Sequence, residues 1–219
     1  MVNDWILLQL ADSAFPSGGF AHSAGLEAAV QLGEVTAPHL EPFIARSLWQ
    51  AGSLVLPVAT AAHTDPAALP QIDRVCDAMT PSAVANAASR AQGQSFLRAC
   101  VAAFEAAAEP VAEIARRERL PCHLAPIFGT LLRSLGSSRE QMQRLMLFLV
   151  HRGLVSAAVR LALVGPLQGQ AIQARAALVS ENVLNACQDI TLEEAAQVDP
   201  ILELLQGHQD RLYSRLFRS

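Results

Sequence analysis

No part of this chain alternates apolar and polar residues along the length of a strand, and that absence constrains its fold more than any other feature. Apolar residues instead return every three or four positions between Pro and Gly breakers, which is the period of helices packed on one another. The pattern predicts an all-α, single-domain bundle of roughly eight to ten helices spanning residues 1–219. With 219 residues, 52% of them hydrophobic and only 16% charged, the chain can fill one sizeable core and still has apolar surface left to cover.

The breakers divide the chain into expected elements. A short apolar helix covers Asp4 to Ala11, and Asp12 to Gly19 is a turn around Pro16 and Gly18-Gly19. A second helix runs from about Phe20 to Leu32 and stops at Gly33. Thr36 and Pro38 start a third that reaches about Ala62, kinked or split by Pro57. His63 to Pro66 is a loop. Thr80-Pro81 opens a long Ala-rich helix ending before Pro110, and the next runs from Val111 to about Arg119. Small side chains in Ala83–Ala108 fit either close helix approach or plain helix propensity. Leu124 to Leu135 is closed by Gly136. Ser137 and Ser138, three residues before Glu140 and Gln141, make overlapping capping boxes for a long helix through Met142 to Val150 that Gly165-Pro166 ends. Thr191 with Glu194 is another capping box, and Asp199-Pro200 starts the last helix.

One missing residue type excludes whole reaction classes. All sixteen cations are Arg and there is no Lys. A P-loop needs a Lys for the transferred phosphate, and Schiff-base or PLP chemistry needs a Lys amine, so neither belongs to this chain. A net charge of −4 gives no basic footprint for nucleic acid. Cys76, Cys100, Cys122 and Cys187 form no CxxC and no secreted-type framework, which points to a reduced cytoplasmic setting. The start, Met1-Val-Asn-Asp-Trp5, lacks the pattern of a signal peptide, and no apolar run is long enough for a membrane span. The histidines (His22, His39, His63, His123, His151 and His208) are scattered, with no ligand spacing for a metal, and no cofactor is expected.

The last ten residues, Asp210-Arg-Leu-Tyr-Ser-Arg-Leu-Phe-Arg-Ser219, carry the strongest sign of a partner. As a helix they would set Tyr213 and Phe217, Leu212 and Leu216, and the guanidinium groups of Arg211, Arg215 and Arg218 on adjoining faces. Tyr and Arg are the residues that dominate interface energetics. A frayed terminus with solvated arginines fits the same pattern. Near the start, Ala21-His-Ser-Ala-Gly25 is one residue away from a nucleophile elbow centred on Ser23. No strand precedes it, so a turn followed by a helix cap fits better.

Three segments together resemble the urease accessory family UreF. They are the run from Leu8 through Phe15-Pro-Ser-Gly-Gly-Phe20, Ser23 and Gly25-Leu-Glu27; the internal Ser156-Ala-Ala-Val-Arg-Leu161 followed by Gly169-Gln170; and the closing Tyr213-Ser-Arg-Leu-Phe-Arg-Ser219. Where that family often has a Gly-Gln-x-Asp-Gly-Gln turn, this chain reads Gly165-Pro-Leu-Gln-Gly-Gln170. The resemblance implies a non-catalytic, all-helical, cytoplasmic homodimer that helps deliver nickel to apo-urease. It would bind a UreD-type (UreH-type) protein and recruit the GTPase UreG. It also implies a partner-binding tail over residues 208–219. The residues expected to carry docking are Tyr213, Arg215, Leu216, Phe217, Arg218, Arg211, Phe20, Ser23 and Glu27, with the tail loosely held until a partner orders it. Two rivals stand beside this reading: a helical serine hydrolase centred on Ser23, and a helical adaptor unrelated to urease.

Overall fold

A computed structural model describes residues 3–219. Met1 and Val2, the start of the stretch read for a signal peptide, lie outside the described residues. Among the described residues the fold is all helical, as the periodicity predicts: α1 (Asp4–Ala11), α2 (Leu26–Gln31), α3 (Leu40–Gln50), α4 (Leu56–Thr64), α5 (Leu69–Met79), α6 (Ala83–Ala103), α7 (Glu105–Arg117), α8 (Leu124–Ser134), α9 (Arg139–Arg160), α10 (Pro166–Cys187) and α11 (Pro200–Gly207). No helix among them is long and apolar enough to cross a membrane.

The centre of the bundle is α8, buried on nearly every side through Ile127, Phe128, Leu131 and Leu132. Its closest neighbour is α4. A Cβ placed on Gly129 would lie 2.0 Å from the Ala59 carbonyl oxygen, so only glycine lets these two backbones touch. The α5–α6–α8 corner is fixed by a buried carboxylate: Asp73 accepts the N–H groups of Cys122 (2.8 Å) and His123 (2.7 Å). His123 spans Ser89 Oγ (3.0 Å) and Asp77 Oδ1 (2.9 Å), and the same Ser89 hydroxyl accepts the Leu124 N–H that opens α8. The polar groups around Cys122-His123 therefore hold helices together. No group of three or more His, Cys, Asp or Glu among the described residues is placed to hold a metal.

Several expected boundaries move, each for a local reason. Pro57 does interrupt the third helix, through a π-helical turn at Ala51–Val55 that separates α3 from α4. Pro57 cannot donate to the Ser53 carbonyl four residues back, and that carbonyl accepts the Ala196 N–H at 3.0 Å instead. α4 continues through Thr64, so His63 is helical and buried rather than in a loop. The Ala-rich helix starts at Ser82, which caps Ala85, and breaks at Phe104, not before Pro110. Pro110 sits inside α7, where it forfeits one bond to the exposed Ala106 carbonyl. Only Ser138 makes a capping box, with Gln141; Ser137 is buried and donates to Leu132 O. α9 ends at Arg160, and Gly165-Pro166 does not terminate it but opens the 22-residue α10, with Pro166 in the first turn. Thr191 and Glu194 do bond, but they close a turn and no helix follows. Asp199 caps α11 as expected, and it also pairs with Arg46 of α3.

Candidate functional site

The expected helix from Phe20 to Leu32 is mostly loop. Pro16 and Gly18 turn the chain, a 3₁₀ turn covers Gly19–Ala21, and only Leu26–Gln31 is α-helical. Gly25 lies at φ +86°, and a Cβ there would come 3.1 Å from the Gln206 backbone nitrogen, so α11 packs directly on this loop. That packing delivers the tail. After α11 a 3₁₀ turn spans His208–Arg211, and residues 212–219 run on without helix. The expected tail helix does not form because its N–H groups bond elsewhere.

Their acceptor is Glu27. Its carboxylate is 2% exposed; Oε1 accepts the Leu216 N–H at 2.6 Å, while Oε2 accepts the Phe217 N–H at 3.1 Å and the Gln209 side-chain amide at 2.6 Å. Ser23 fixes the far end: its N–H (2.5 Å) and its hydroxyl (2.9 Å) both donate to the main-chain oxygen of Ser219. The Arg218 N–H donates to Ala21 O at 2.8 Å, and His22 Nδ1 lies 2.7 Å from Ser219 Oγ. Burial lowers the His22 pKa, and the nearby Arg218 charge lowers it further. Phe217 is buried, with the Arg160 guanidinium 4.2 Å from its ring centre. The same guanidinium lies 3.6 Å from the Phe20 ring centre and donates to the Phe20 carbonyl.

These contacts bring together the three separated segments singled out in the sequence. Arg160 belongs to the internal one, the weakest of the three as a pattern, and it stands between aromatic residues of the other two. Reasoning by local periodicity missed Arg160 and Gln209, because what makes them important is contact across the fold. The other expected site residues divide cleanly. Ser23, Glu27 and Phe217 face inward. Phe20 (70% exposed), Tyr213 (wholly exposed) and Leu216 (53%) face outward, as do Arg211, Arg215 and Arg218. Arg215 pairs with Asp210 at 3.0 Å. The tail is thus packed against its own chain.

The geometry gives Ser23 no route to nucleophilic chemistry. Its hydroxyl donates to Ser219 and accepts the Glu27 N–H at 3.3 Å, and the neighbouring His22 ring is turned to Ser219. A nucleophile needs an accessible oxygen beside a general base, and Ser23 has neither.

Comparison with known proteins shows the family. The family model described as UreF matches residues 35–177, well over half of the chain. This chain belongs to the UreF family. It is 36% identical over 219 residues to "Urease accessory protein F" of Oryza sativa subsp. indica, covering 97% of this chain and 84% of that one. It is 37% identical over 221 residues to the Arabidopsis thaliana protein of the same name, covering 98% and 92%. Identity to "Urease accessory protein UreF" of Mycobacterium tuberculosis (strain ATCC 25177 / H37Ra) is 31% over 219 residues, covering 98% of each. The UreF match over 35–177 covers the bundle and Arg160, while Glu27 and the tail lie outside it.

Proposed function

We propose that this chain is a urease accessory protein that works as a non-catalytic scaffold in the cytoplasm. On this reading it binds a UreD-type (UreH-type) protein and recruits the GTPase UreG, so that nickel reaches apo-urease. The observation that carries the proposal is the convergence of the two chain ends and Arg160 into one surface with buried anchors and an exposed aromatic and guanidinium face. Tyr213, Leu216, Phe20, Arg211, Arg215 and Arg218 are the groups that touch the partner; Ser23, Glu27 and Phe217 brace them from beneath. A tail already seated spends little conformational entropy on binding, which favours affinity. The absence of Lys fits a complex whose nucleotide hydrolysis belongs to another chain.

The test is co-expression with a UreD-type protein and UreG, followed by size-exclusion chromatography with light scattering. The intact chain is expected to form a complex that the Tyr213→Ala, Arg215→Ala double substitution loses while helix content is retained. No complex with the intact chain would overturn the functional reading. A complex indifferent to the double substitution would move the contact away from the tail.

The homodimer implied by the resemblance has a fitting surface in α10. Leu167 (89% exposed), Ala171, Ala174 and Leu178 (70%) form an outward, exposed stripe at helical spacing. Leu178→Arg is expected to convert a dimer to a monomer in light scattering, and an unchanged mass would place the dimer contact elsewhere.

A further inference from the structure

We infer that Ser23, Glu27, Arg160 and their neighbours form a peptide-binding site whose ligand is a bent, non-helical segment carrying an aromatic residue, here residues 212–219 of this chain. The inference deepens the proposed function, because it makes the docking tail a ligand of the rest of the chain and so a separable part.

The site recognises main chain as well as side chain. Glu27 places one oxygen on each of two consecutive N–H groups, those of Leu216 and Phe217. A helix could not offer that pair sideways, because its interior N–H groups are already bonded along the axis. The carboxylate therefore selects a bent, non-helical peptide whose two consecutive N–H groups turn to one side. Arg160 faces the aromatic ring, and that ring is buried to 3% exposure. Ser23 closes the site by donating twice to one main-chain oxygen two residues further on. Gln31 adds a bond from its side-chain amide to Ser214 O at 2.9 Å, which fixes the direction of entry. These receptor groups come from α2, the loop before it and the end of α9, and none lies on the tail. Glu27 is thus an acceptor that loses two of its donors, the Leu216 and Phe217 N–H groups, when the segment leaves, and keeps the Gln209 amide. The chain fills this site with its own residues.

The test uses the full chain with Phe217→Asp, which ejects the tail by placing a charge in the apolar seat, and a fluorescein-labelled synthetic octapeptide of residues 212–219. Fluorescence polarisation should show saturable binding to F217D. Binding to the unsubstituted chain should be at least about tenfold weaker, because its own tail competes from an effective concentration in the millimolar range. Adding Glu27→Gln to F217D should weaken binding by about tenfold or more, the scale of a charge-assisted hydrogen bond. No saturable binding to an F217D chain of native helix content would overturn the inference, as would equal binding with and without Glu27→Gln. If F217D does not fold, amide exchange decides: the Leu216 and Phe217 N–H groups should exchange at least about tenfold faster in Glu27→Gln than in the unsubstituted chain, with α8 unchanged, and equal rates would overturn the inference. Neither measurement involves a partner protein, so its failure is distinguishable from failure of the scaffold reading.

Discussion

The helix core and the chain-end site are both buried, but they are held by different physics. At α4–α8 the backbones touch at Gly129 and the interface is apolar, so its stability is spread over many dispersion contacts. At the chain ends a few directional polar groups, chiefly the Glu27 carboxylate, the Arg160 guanidinium and Ser23, anchor the contact. The first arrangement tolerates the loss of almost any one group except where atoms already touch. The second is expected to lose its geometry with one substitution while the bundle stands. The scaffold role proposed above would benefit from this separation, because a defined surface can then be offered without risking the fold.

The contrast can be broken most severely in the core. Gly129→Ala pushes a methyl group into the Ala59 carbonyl and is expected to cost about 3 kcal/mol or more in urea unfolding, or to prevent folding. Acid comes next. His151 is buried against Ser180 at 2.7 Å, and its pKa is pushed down to about 4, first by burial and then by the Arg152 charge. The unfolded chain then takes up a proton near pH 6.5 that the folded chain refuses until about pH 4. Stability is therefore full above pH 6.5 and falls on acidification at about 1.4 kcal/mol per pH unit across that window. His151→Gln should flatten this slope in pH-dependent melts. His22 shifts in the same direction, so the tail seat also weakens in acid.

Smaller effects sharpen the comparison from the other side. Arg160→Ala should cost only about 1–2 kcal/mol, confined to the tail. Trypsin should then cut at Arg215 and Arg218 faster than in the unsubstituted chain, with the melting of the bundle unchanged. A coincident loss of both would mean that Arg160 supports the core. Arg215→Ala removes an exposed pair with Asp210 and should change stability by less than about 1 kcal/mol in chemical denaturation. Its effect should appear in complex formation alone.

How much of this the sequence makes legible depends on how local the cause is. α1, α8 and the start of α11 follow their breakers and caps, because a cap acts within a few residues. No expected element covers α5, whose Pro70 is a first-turn residue where proline by itself reads as a breaker. α10 is lost for the same reason: Gly165-Pro166 reads as an end and acts as a beginning. The tail residues are identifiable by type, since Tyr, Phe and Arg so close together are uncommon on an ordinary surface. Their conformation is not legible, because the acceptor that bars a helix is 189 residues away from Leu216. Arg160 and Gln209 are invisible for the same reason: helical periodicity places each on a face but cannot name what meets it.

That separation also sets a clock. At about 5–20 residues per second, a ribosome makes Leu216 roughly ten to forty seconds after Glu27. The bundle can begin to condense during that time, but Glu27 has no ligand and the outward face it supports does not exist. On the scaffold reading proposed above, partners that read this face meet only chains whose synthesis has passed Phe217, and a chain stalled earlier presents helices without an address.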